Sequence, residues 1–362
     1  MAVPLFDTAT PLEPLREQID AAIAGVLDDK RFILGPNVSA FEEEFAAYCG
    51  SRHAIGVANG TDALTIALRA LGVGPGDEVI VPSFTFYASA EAIPPTGATP
   101  VFCDVDSDTM CVSAETVKAA ITPRTKAVMV VHLFGNLAPV AEIAALGLPV
   151  LEDAAQSAGT IGPDGARPGS LGTIATFSFF PSKNLGAFGD GGAITTSDDD
   201  LADRVRMLRF HGSWDKVTYE HVGYNSRLDE IQAAILRVLL PHLDDWADGR
   251  REAGRCYGTA GLGEVVTLPS PGHGAQPAWH LYVIRHPRID EIATALGDAG
   301  IGHKFYYRTP VHRQPAMREL AAGVELPVTD ELAATHLAIP MSPVLDRAAA
   351  EEVVAAVRVA VG

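Results

Sequence analysis

The sequence predicts an α/β fold in which helices cover both faces of a mostly parallel sheet. Short apolar segments alternate with helical ones between about residues 50 and 200, and the strand segments are apolar throughout. Such alternation implies parallel strands with right-handed connections, and wholly apolar strands suit a sheet buried on both faces. After Leu228 the alternation stops, which predicts a smaller α+β unit. We therefore expect a large domain at 1–245 and a small C-terminal domain at 246–362.

The individual elements follow from apolar periodicity. The predicted strands are 53–58, 78–81, 100–103, 127–131 and 150–151, with 279–284 in the second unit. The predicted helices are 63–71, 114–121, 138–146, 229–240, 290–296 and 348–361. One face of the helix 63–71 carries Leu64, Ala67, Leu68 and Leu71, a spacing typical of a helix packed on a core. Pro241 is expected to end or kink the helix 229–240.

Composition excludes several classes of function. The chain has 362 residues and a formal net charge of −18, which disfavours nucleic acid as a partner. No apolar run approaches the ~20 residues of a membrane span, and the N-terminus does not resemble a signal peptide. The four cysteines form no CxxC pair and the histidines show no HExxH motif. We expect a reduced, cytoplasmic protein with no metal site.

Two residues near strand ends favour one kind of chemistry. Lys183 ends the largely apolar run 175–183, and Asp153 follows the strand 150–151. Both are therefore expected at the carboxyl edge of the sheet, where ligands bind. A lysine can hold pyridoxal phosphate (PLP) as a Schiff base, and an aspartate can keep its pyridine nitrogen protonated so that the ring accepts electrons. Burial lowers the pKa of a lysine, which helps it act as a nucleophile and proton shuttle.

The local sequence also admits plainer interpretations of these residues. Lys183 could be a surface lysine on a loop. Asp153 could cap the turn that follows it. Glu152, on the opposite face of the strand from Asp153, could be the functional acid instead.

A phosphate site is predicted where a strand meets a helix. Residues 59–62 (Asn-Gly-Thr-Asp) precede the helix 63–71, whose N-terminus presents free N–H groups. Gly60 permits close backbone approach and Thr61 adds a hydroxyl, although a plain cap by Thr61 or Asp62 fits equally well. Phe86, after the strand 78–81, could stack on a flat ring or belong to the core. The chain has neither a GxxxxGK[ST] loop nor a GxGxxG fingerprint.

In this order along the chain, the motifs resemble those of the DegT-like sugar aminotransferases, PLP enzymes of the aspartate-aminotransferase fold (fold type I). The resemblance covers nearly the whole sequence. Its motifs are FILGP at 32–36, NGTDAL at 59–64, GDEVIVPSFTF at 76–86, EDAAQS at 152–157, FSFFPSKNL at 177–185, GDGGA at 189–193, GYNSRLDEIQAA at 223–234 and YYRTPVHRQPA at 306–316. The resemblance implies a large domain with a seven-stranded type of sheet and an N-terminal arm. It also implies PLP as cofactor and transfer of an amino group from L-glutamate to a keto group of a nucleotide-diphosphate sugar.

The resemblance assigns roles to individual residues. Lys183 would form the Schiff base, and Asp153 would pair with the pyridinium nitrogen. The other cofactor contacts would be Gly60, Thr61, Asp62 and Ser178 at the phosphate, Gln156 at the ring hydroxyl, and Phe86 on the ring. Asn225 would reach the phosphate of the neighbouring subunit, which implies a homodimer with shared active sites. The residues expected near the substrate are Arg31, Tyr307 and His312.

Relatives with other activities leave alternatives. A branch that removes a hydroxyl carries histidine in place of the Schiff-base lysine, so Lys183 favours amination over dehydration. A non-catalytic regulator of the same fold is expected to lack the lysine. The segments 208–214 and 222–229 are more similar to relatives acting on 3-keto sugars than on 4-keto sugars. The basic residues that could line the path of the anionic sugar diphosphate are Arg209, His211, Lys216, Arg227 and Arg308.

Overall fold

The computed structural model describes residues 3–362 and shows the predicted α/β architecture. Seven strands form one sheet in the order β1-β7-β6-β5-β4-β2-β3, and two more form an antiparallel pair, β8-β9. The strands are β1 (His53–Val57), β2 (Glu78–Pro82), β3 (Thr99–Cys103), β4 (Thr125–Val131), β5 (Val150–Asp153), β6 (Ile174–Ser178), β7 (Gly192–Thr196), β8 (Tyr282–Arg285) and β9 (His336–Ile339). Within the large sheet only β7 runs antiparallel to its neighbours. The fold-class prediction is confirmed.

Twelve α-helices occur within residues 3–362, joined by short turns and 3₁₀ segments. They are α1 (Arg16–Asp29), α2 (Pro36–Cys49), α3 (Gly60–Ala70), α4 (Tyr87–Glu91), α5 (Ala114–Ala120), α6 (Val140–Ala144), α7 (Asp199–Arg209), α8 (Glu230–Leu239), α9 (Leu243–Thr259), α10 (Ile289–Asp298), α11 (Pro327–Thr335) and α12 (Arg347–Val361). None of the described helices is long and apolar enough to cross a membrane.

Strand alternation divides the core between the two faces of the large sheet. Ile55, Met129 and Leu151 pack with α3, α4 and α7 on one face. On the opposite face, α1, α2 and α8 cover one half of the sheet, and α5 and α6 cover the other half. Every residue of β2, β5 and β7 is buried, which explains the apolar residues at the centre of β2 and at the start of β5.

A buried glutamate links two helices that pack on the same face of the large sheet, α2 and α8. Glu230 starts α8, and its carboxylate accepts the backbone N–H groups of Gly35 (2.6 Å), Asn37 (2.9 Å) and Val38 (2.9 Å) at the start of α2. An acidic group at a helix N-terminus satisfies free N–H donors and interacts favourably with the helix dipole. The chain thus caps α2 with a residue about 190 positions later.

The second unit forms around the β8-β9 pair. A separate apolar cluster joins these strands to α9, α10 and α12, and it includes Val3 from the N-terminal segment. The predicted boundary between residues 245 and 246 falls inside α9, which spans both units. The division into a large and a small domain therefore remains a proposal.

Several predicted boundaries were wrong for local reasons. The predicted strand 279–284 begins at Tyr282, because Trp279 has a φ of 38° and is not extended. The predicted helix 138–146 is limited to Val140–Ala144, since Pro139 precedes it in a non-helical conformation. Near Pro241 the chain changes from α8 to a 3₁₀ turn and then to α9, as the proline predicts.

Candidate active site

The carboxyl ends of β5 and β6 and the N-terminus of α3 meet at a cavity of about 440 Å³. This volume lies within the range of small-molecule sites in proteins. The predicted site residues that line it are Gly60, Thr61, Phe86, Asp153, Gln156, Ser178, Lys183 and Tyr307. The topology explains why these residues lie together, because the parallel strands end at one edge of the sheet and α3 starts at that edge.

Asp153 is the last residue of β5 and is buried. The hydroxyl of Ser89, on α4, donates to its Oδ2 at 2.7 Å, and the N–H of Ala155 donates to Oδ1 at 3.2 Å. Burial raises the pKa of this carboxyl, and these two hydrogen bonds partly oppose the shift. A protonated ring nitrogen in the cavity would stabilise the charged carboxylate further.

Glu152 faces the other side of β5, as strand alternation predicts. Its carboxylate accepts N–H groups of Gly169 (3.1 Å), Leu171 (3.0 Å) and Gly172 (2.7 Å), and it contacts His132 Nε2 at 2.9 Å. It is fully buried away from the cavity. The alternative that Glu152 is the functional acid is therefore wrong, since its oxygens hold the loop before β6.

Lys183 lies in a tight turn that follows β6. Its N–H donates to Phe180 O at 2.8 Å, and Ala187 N–H returns to Phe179 O at 2.7 Å. The strand itself ends at Ser178, so the turn, not the strand, directs the lysine into the cavity. Burial lowers the pKa of Lys183 to about 8, and the charge of Asp153 opposes the shift.

The start of α3 offers an anion site. The side chain of Asn59 accepts the N–H of Asp62 at 2.8 Å, so Asn59 is the cap and the alternative of a cap by Thr61 or Asp62 is wrong. Asp62 does not line the cavity, and its N–H is already used within the protein. Gly60 lies so close to Ser178 that a Cβ on it would be 2.8 Å from the serine Cβ. This close approach brings the helix N-terminus and the Ser178 hydroxyl to one place.

Gln156 and two aromatic residues form the opposite side of the cavity. The side-chain amide of Gln156 accepts Phe134 N–H at 2.8 Å and donates to Tyr307 OH at 3.2 Å. The ring of Phe86 is more than half exposed, which a core residue would not be, and it lies 5.9 Å from the Tyr307 ring. Burial raises the pKa of Tyr307, so its hydroxyl stays protonated at neutral pH.

Besides Asp62, three predicted site residues lie outside this cavity. Arg31 is exposed and donates to Leu34 O at 3.2 Å. Asn225 is exposed near the bridge between its own backbone and Phe210. His312 is buried, and its Nδ1 lies 2.6 Å from Ser83 Oγ, so the prediction that it contacts the substrate has no support within this chain.

Two basic residues expected along the path of the sugar diphosphate are engaged elsewhere. Arg209 is buried and donates to Glu42 (2.5 Å) and Gly56 O (2.7 Å), so it braces β1 against α2. Arg308 forms an ion pair with Asp290 at 2.7 Å. The prediction is wrong for Arg209, whose burial the local sequence does not reveal.

Sequence patterns missed part of the cavity. Ser89 supports Asp153, and Phe6 and His280 complete the wall beside Tyr307, together with Tyr306 of the motif at 306–316. Phe6 lies far from the other motifs in sequence and carries no pattern of its own. His280 stands within the predicted strand 279–284, where the only available signal was a histidine in an apolar run.

The residues present fit pyridoxal phosphate. A carboxylate lies on the floor, a lysine with a lowered pKa faces the same space, and free N–H groups at the start of α3 suit a phosphate. The Gly60–Ser178 contact closes the phosphate end, where a side chain at residue 60 would occupy the space. An exposed phenylalanine between these ends suits a flat ring.

Comparisons with known proteins agree with this arrangement. Residues 14–358 match the model of the DegT/DnrJ/EryC1/StrS aminotransferase family. The dTDP-3-amino-3,4,6-trideoxy-α-D-glucose transaminase of Streptomyces venezuelae is 47% identical, over 98% of this chain and 95% of its own. The UDP-N-acetyl-3-dehydro-α-D-glucosamine 3-aminotransferase of Acidithiobacillus ferrooxidans is also 47% identical, over 95% of this chain and 94% of its own.

Solved structures show the same likeness. DesV of S. venezuelae, in complex with a ketimine intermediate, superposes with a TM-score of 0.95 at 46% identity and covers 99% of this chain and 98% of its own. NtdA of Bacillus subtilis, with the bound cofactor PMP, superposes with a TM-score of 0.87 at 30% identity and covers 96% of this chain and 82% of its own. The chain is therefore a PLP-dependent sugar aminotransferase that belongs to the DegT/DnrJ/EryC1/StrS aminotransferase family.

Proposed function

We propose that this aminotransferase transfers the amino group of L-glutamate to the C3 keto group of a nucleotide-diphosphate deoxyhexose. The observation that carries the proposal is the single cavity that Lys183, Asp153 and the start of α3 share. The position on the sugar is supported by the two relatives at 47% identity, whose names both put the amino group at C3. A 4-keto sugar is the alternative substrate for the same chemistry.

We propose that the cofactor is held at both ends by this chain. The N–H groups of Gly60 and Thr61 and the hydroxyl of Ser178 would bind its phosphate. Phe86 would cover one face of the ring, and Gln156 would contact the ring hydroxyl. When bound, the cofactor supplies an electron-accepting ring and a carbon to which amines attach.

Asp153 and Lys183 would have different roles: Asp153 would stabilise charge on the ring, and Lys183 would transfer a proton. Asp153 would hold the ring nitrogen in its protonated form, with Ser89 keeping the carboxylate oriented. Lys183 would anchor the cofactor between reactions and, once free, carry a proton away from the α-carbon of glutamate. A pKa of about 8 leaves an appreciable unprotonated fraction at neutral pH, which a general base requires.

We propose that donor and acceptor use the cavity in turn. Glutamate would leave as oxoglutarate before the keto-sugar enters, and the proton would then move in the reverse direction to the sugar carbon. Tyr307 lies beside the position proposed for the ring and could contact either substrate. This alternation accounts for one lysine serving two reactions.

A homodimer with shared sites is part of the proposal. Asn225 and Arg31 are exposed and lie outside the cavity of their own subunit. If they bind cofactor or substrate, they would do so in the cavity of the partner subunit. Exposed apolar side chains occur near them in the chain, and they include Phe32, Ile33, Trp214 and Tyr219. A second copy would remove this apolar surface from water.

A mass-spectrometric screen tests the proposed substrate. Purified protein is incubated with L-glutamate and matched nucleotide-linked 3-keto and 4-keto hexoses. The proposal expects the mass of an amino sugar and stoichiometric oxoglutarate from the 3-keto compounds. Preferential conversion of the 4-keto compounds would support the alternative substrate. A product that has lost a hydroxyl and gained no amino group would overturn the proposed reaction.

A further inference from the structure

The wall of the cavity next to Lys183 contains a buried histidine with no assigned role. Four buried polar side chains among residues 3–362 line the cavity, namely Thr85, Asp153, Gln156 and His280. Three of them are engaged within the protein. Ser89 bonds both Thr85 (3.0 Å) and Asp153, and Gln156 bonds Phe134 and Tyr307. His280 differs, since its Nδ1 is enclosed without a hydrogen-bond partner among the described residues.

The imidazole is held in place by packing. Its ring lies 5.9 Å from that of Phe6 at an interplanar angle of 22°. Phe6 is itself fixed, because the segment before it is bonded to the small unit through Gly302 N–H to Val3 O (2.8 Å) and Met341 N–H to Leu5 O (3.0 Å). A ring stacked in this way has few rotamers available, so both of its nitrogens point in defined directions.

The backbone of the histidine is anchored from the other side. Arg250 is buried on α9, and its guanidinium donates to the carbonyl of Trp279, the residue before His280, at 3.1 Å. Burial, and then the charges of Lys183 and Arg250, hold the pKa of His280 well below its usual range. The imidazole is therefore neutral at working pH and keeps a lone pair that can accept a hydrogen bond.

The freed amine of Lys183 needs such a partner. A lysine has four rotatable bonds, and a base that must reach one carbon loses rate when it is misplaced. Asp153 is committed to the ring nitrogen, and Gln156 has both ends of its amide bonded. Nδ1 of His280 is enclosed, whereas Nε2 is not among the enclosed unpartnered atoms of the described residues, and the residue lines the cavity. We therefore assign Nε2 to a group in the cavity.

We propose that His280 is a positioning residue for Lys183. When the amine is not attached to the cofactor, the neutral imidazole accepts a hydrogen bond from it at Nε2 and keeps it close to the reacting carbon. The inference rests on the proposed role of Lys183 as anchor and base, and it adds a place for the lysine to occupy during the reaction.

Nitrogen NMR of the loaded protein tests the hydrogen bond directly. Protein labelled with ¹⁵N-histidine is compared in two forms, loaded with pyridoxal phosphate or with pyridoxamine phosphate. Lys183 is free only in the second form. We expect the Nε2 resonance of His280, assigned from the His280→Asn variant, to move toward a hydrogen-bonded position in that form. An unchanged resonance would overturn the inference, and His336, buried outside the cavity, serves as the internal reference.

Single-turnover kinetics test the consequence. We expect His280→Phe, which retains an aromatic ring, to slow conversion of the loaded protein by glutamate by about tenfold to a hundredfold. The glutamate concentration at half-saturation should change little, and the isotope effect of α-deuterated glutamate should increase. His280→Asn, whose amide can accept a hydrogen bond, should restore part of the rate.

A matched variant separates positioning from packing. His336 is also buried with an unpartnered Nε2, and His336→Phe should leave both the rate and the isotope effect of loaded molecules unchanged. If His280 has a purely structural role, His280→Phe would lower the yield of cofactor-loaded protein, but the loaded molecules would react with glutamate at the normal rate. A normal rate in His280→Phe would contradict the inference. Because pyridoxamine phosphate can be added directly, failure of glutamate as donor would count against the proposed function alone.

Discussion

At the residue scale, the cavity depends on a few charged groups whose environments differ. Asp153 and Glu152 are adjacent carboxylates, yet one faces the cavity with two donors and the other is enclosed by a loop and His132. Lys183 has a lowered pKa, because partial burial disfavours its charged form. Strand alternation predicted that the two acids face opposite sides of β5, but not which of them faces the cavity. The donor Ser89 lies on α4, which the local sequence does not connect to Asp153.

Replacing Lys183 tests the central assignment. Lys183→Ala should abolish the visible absorbance of the bound cofactor and reduce turnover by several orders of magnitude, because no other lysine among residues 3–362 lines the cavity. Absorbance spectra and steady-state rates with glutamate measure the two effects. Lys118→Ala, on the exposed face of α5, is the matched control and should behave as the unchanged protein. Full activity of Lys183→Ala would refute the mechanism.

The hydroxyl of Ser89 should set the pH at which activity is lost in acid. Its hydrogen bond lowers the pKa of the Asp153 carboxyl, so Ser89→Ala should raise that pKa. If the ionised form is required, activity is present above this pKa and lost as the pH falls through it, and the acid limb therefore moves to higher pH. The pH profile of kcat is the measurement. An acid limb at an unchanged position would show that Asp153 does not control it.

At the element scale, strands were predictable where apolar runs are long. The strands β2, β4 and β5 are recognisable because both of their faces are buried. Helix starts were less predictable, since α3 is capped by Asn59 and α2 by the distant Glu230. The site residues were likewise predictable in part. Residues at strand ends were predicted, and those that the second unit and the N-terminal segment bring to the cavity, such as His280 and Phe6, were not.

The contact between α3 and β6 predicts a specific loss of cofactor affinity. In Gly60→Ala the new Cβ would lie 2.8 Å from the Cβ of Ser178, so the helix start and the strand must separate. We expect the dissociation constant for pyridoxal phosphate to rise by at least tenfold, about 1.4 kcal/mol. Fluorescence titration measures it. Gly74→Ala, where a Cβ meets no atom within 4 Å, is the control, and equal affinities of the two variants would contradict the proposed phosphate site.

The glutamate that caps α2 should matter for stability rather than chemistry. Glu230→Gln leaves buried N–H groups without a charged acceptor, so the free energy of unfolding should fall by about 2–4 kcal/mol. Glu44→Gln removes a partly exposed ion pair with Arg237 and should cost less than about 1 kcal/mol. Denaturant titration of the loaded protein compares them. Similar losses in both variants would argue against a special role for the buried cap.

At the scale of the whole molecule, one chain forms the cavity around Lys183, and two exposed residues predicted for the site lie outside it. Lys183, Asp153 and the start of α3 come from the same subunit, but Asn225 and Arg31 are exposed away from it. The sequence predicted the fold class and the cofactor, because these depend on motifs within one chain. A spacing pattern carries no information about contact between subunits, so the role of Asn225 at a partner's cavity comes from the family resemblance alone and remains a proposal.

Mixing two inactive variants tests the shared site. If Asn225 serves the partner's cavity, a hybrid of Lys183→Ala and Asn225→Ala subunits has one site with both residues intact. An equal mixture that exchanges freely should regain about a quarter of the normal activity, since half of the dimers are hybrids with one working site. Activity assays after exchange measure this. No recovery, with exchange verified by mass spectrometry, would place both residues in the same subunit's site.

The cap of α2 by Glu230 also bears on how the chain is made. The N–H groups of residues 35, 37 and 38 are bonded by a carboxylate that the ribosome adds 192 to 195 residues later. While the ribosome is still producing the central sheet, α2 lacks both this acceptor and the apolar face of α8 that covers it. A nascent chain released before residue 230 should therefore remain open to proteases near its N-terminus. Emergence of α8 would close the N-terminal segment and commit the chain to its final shape.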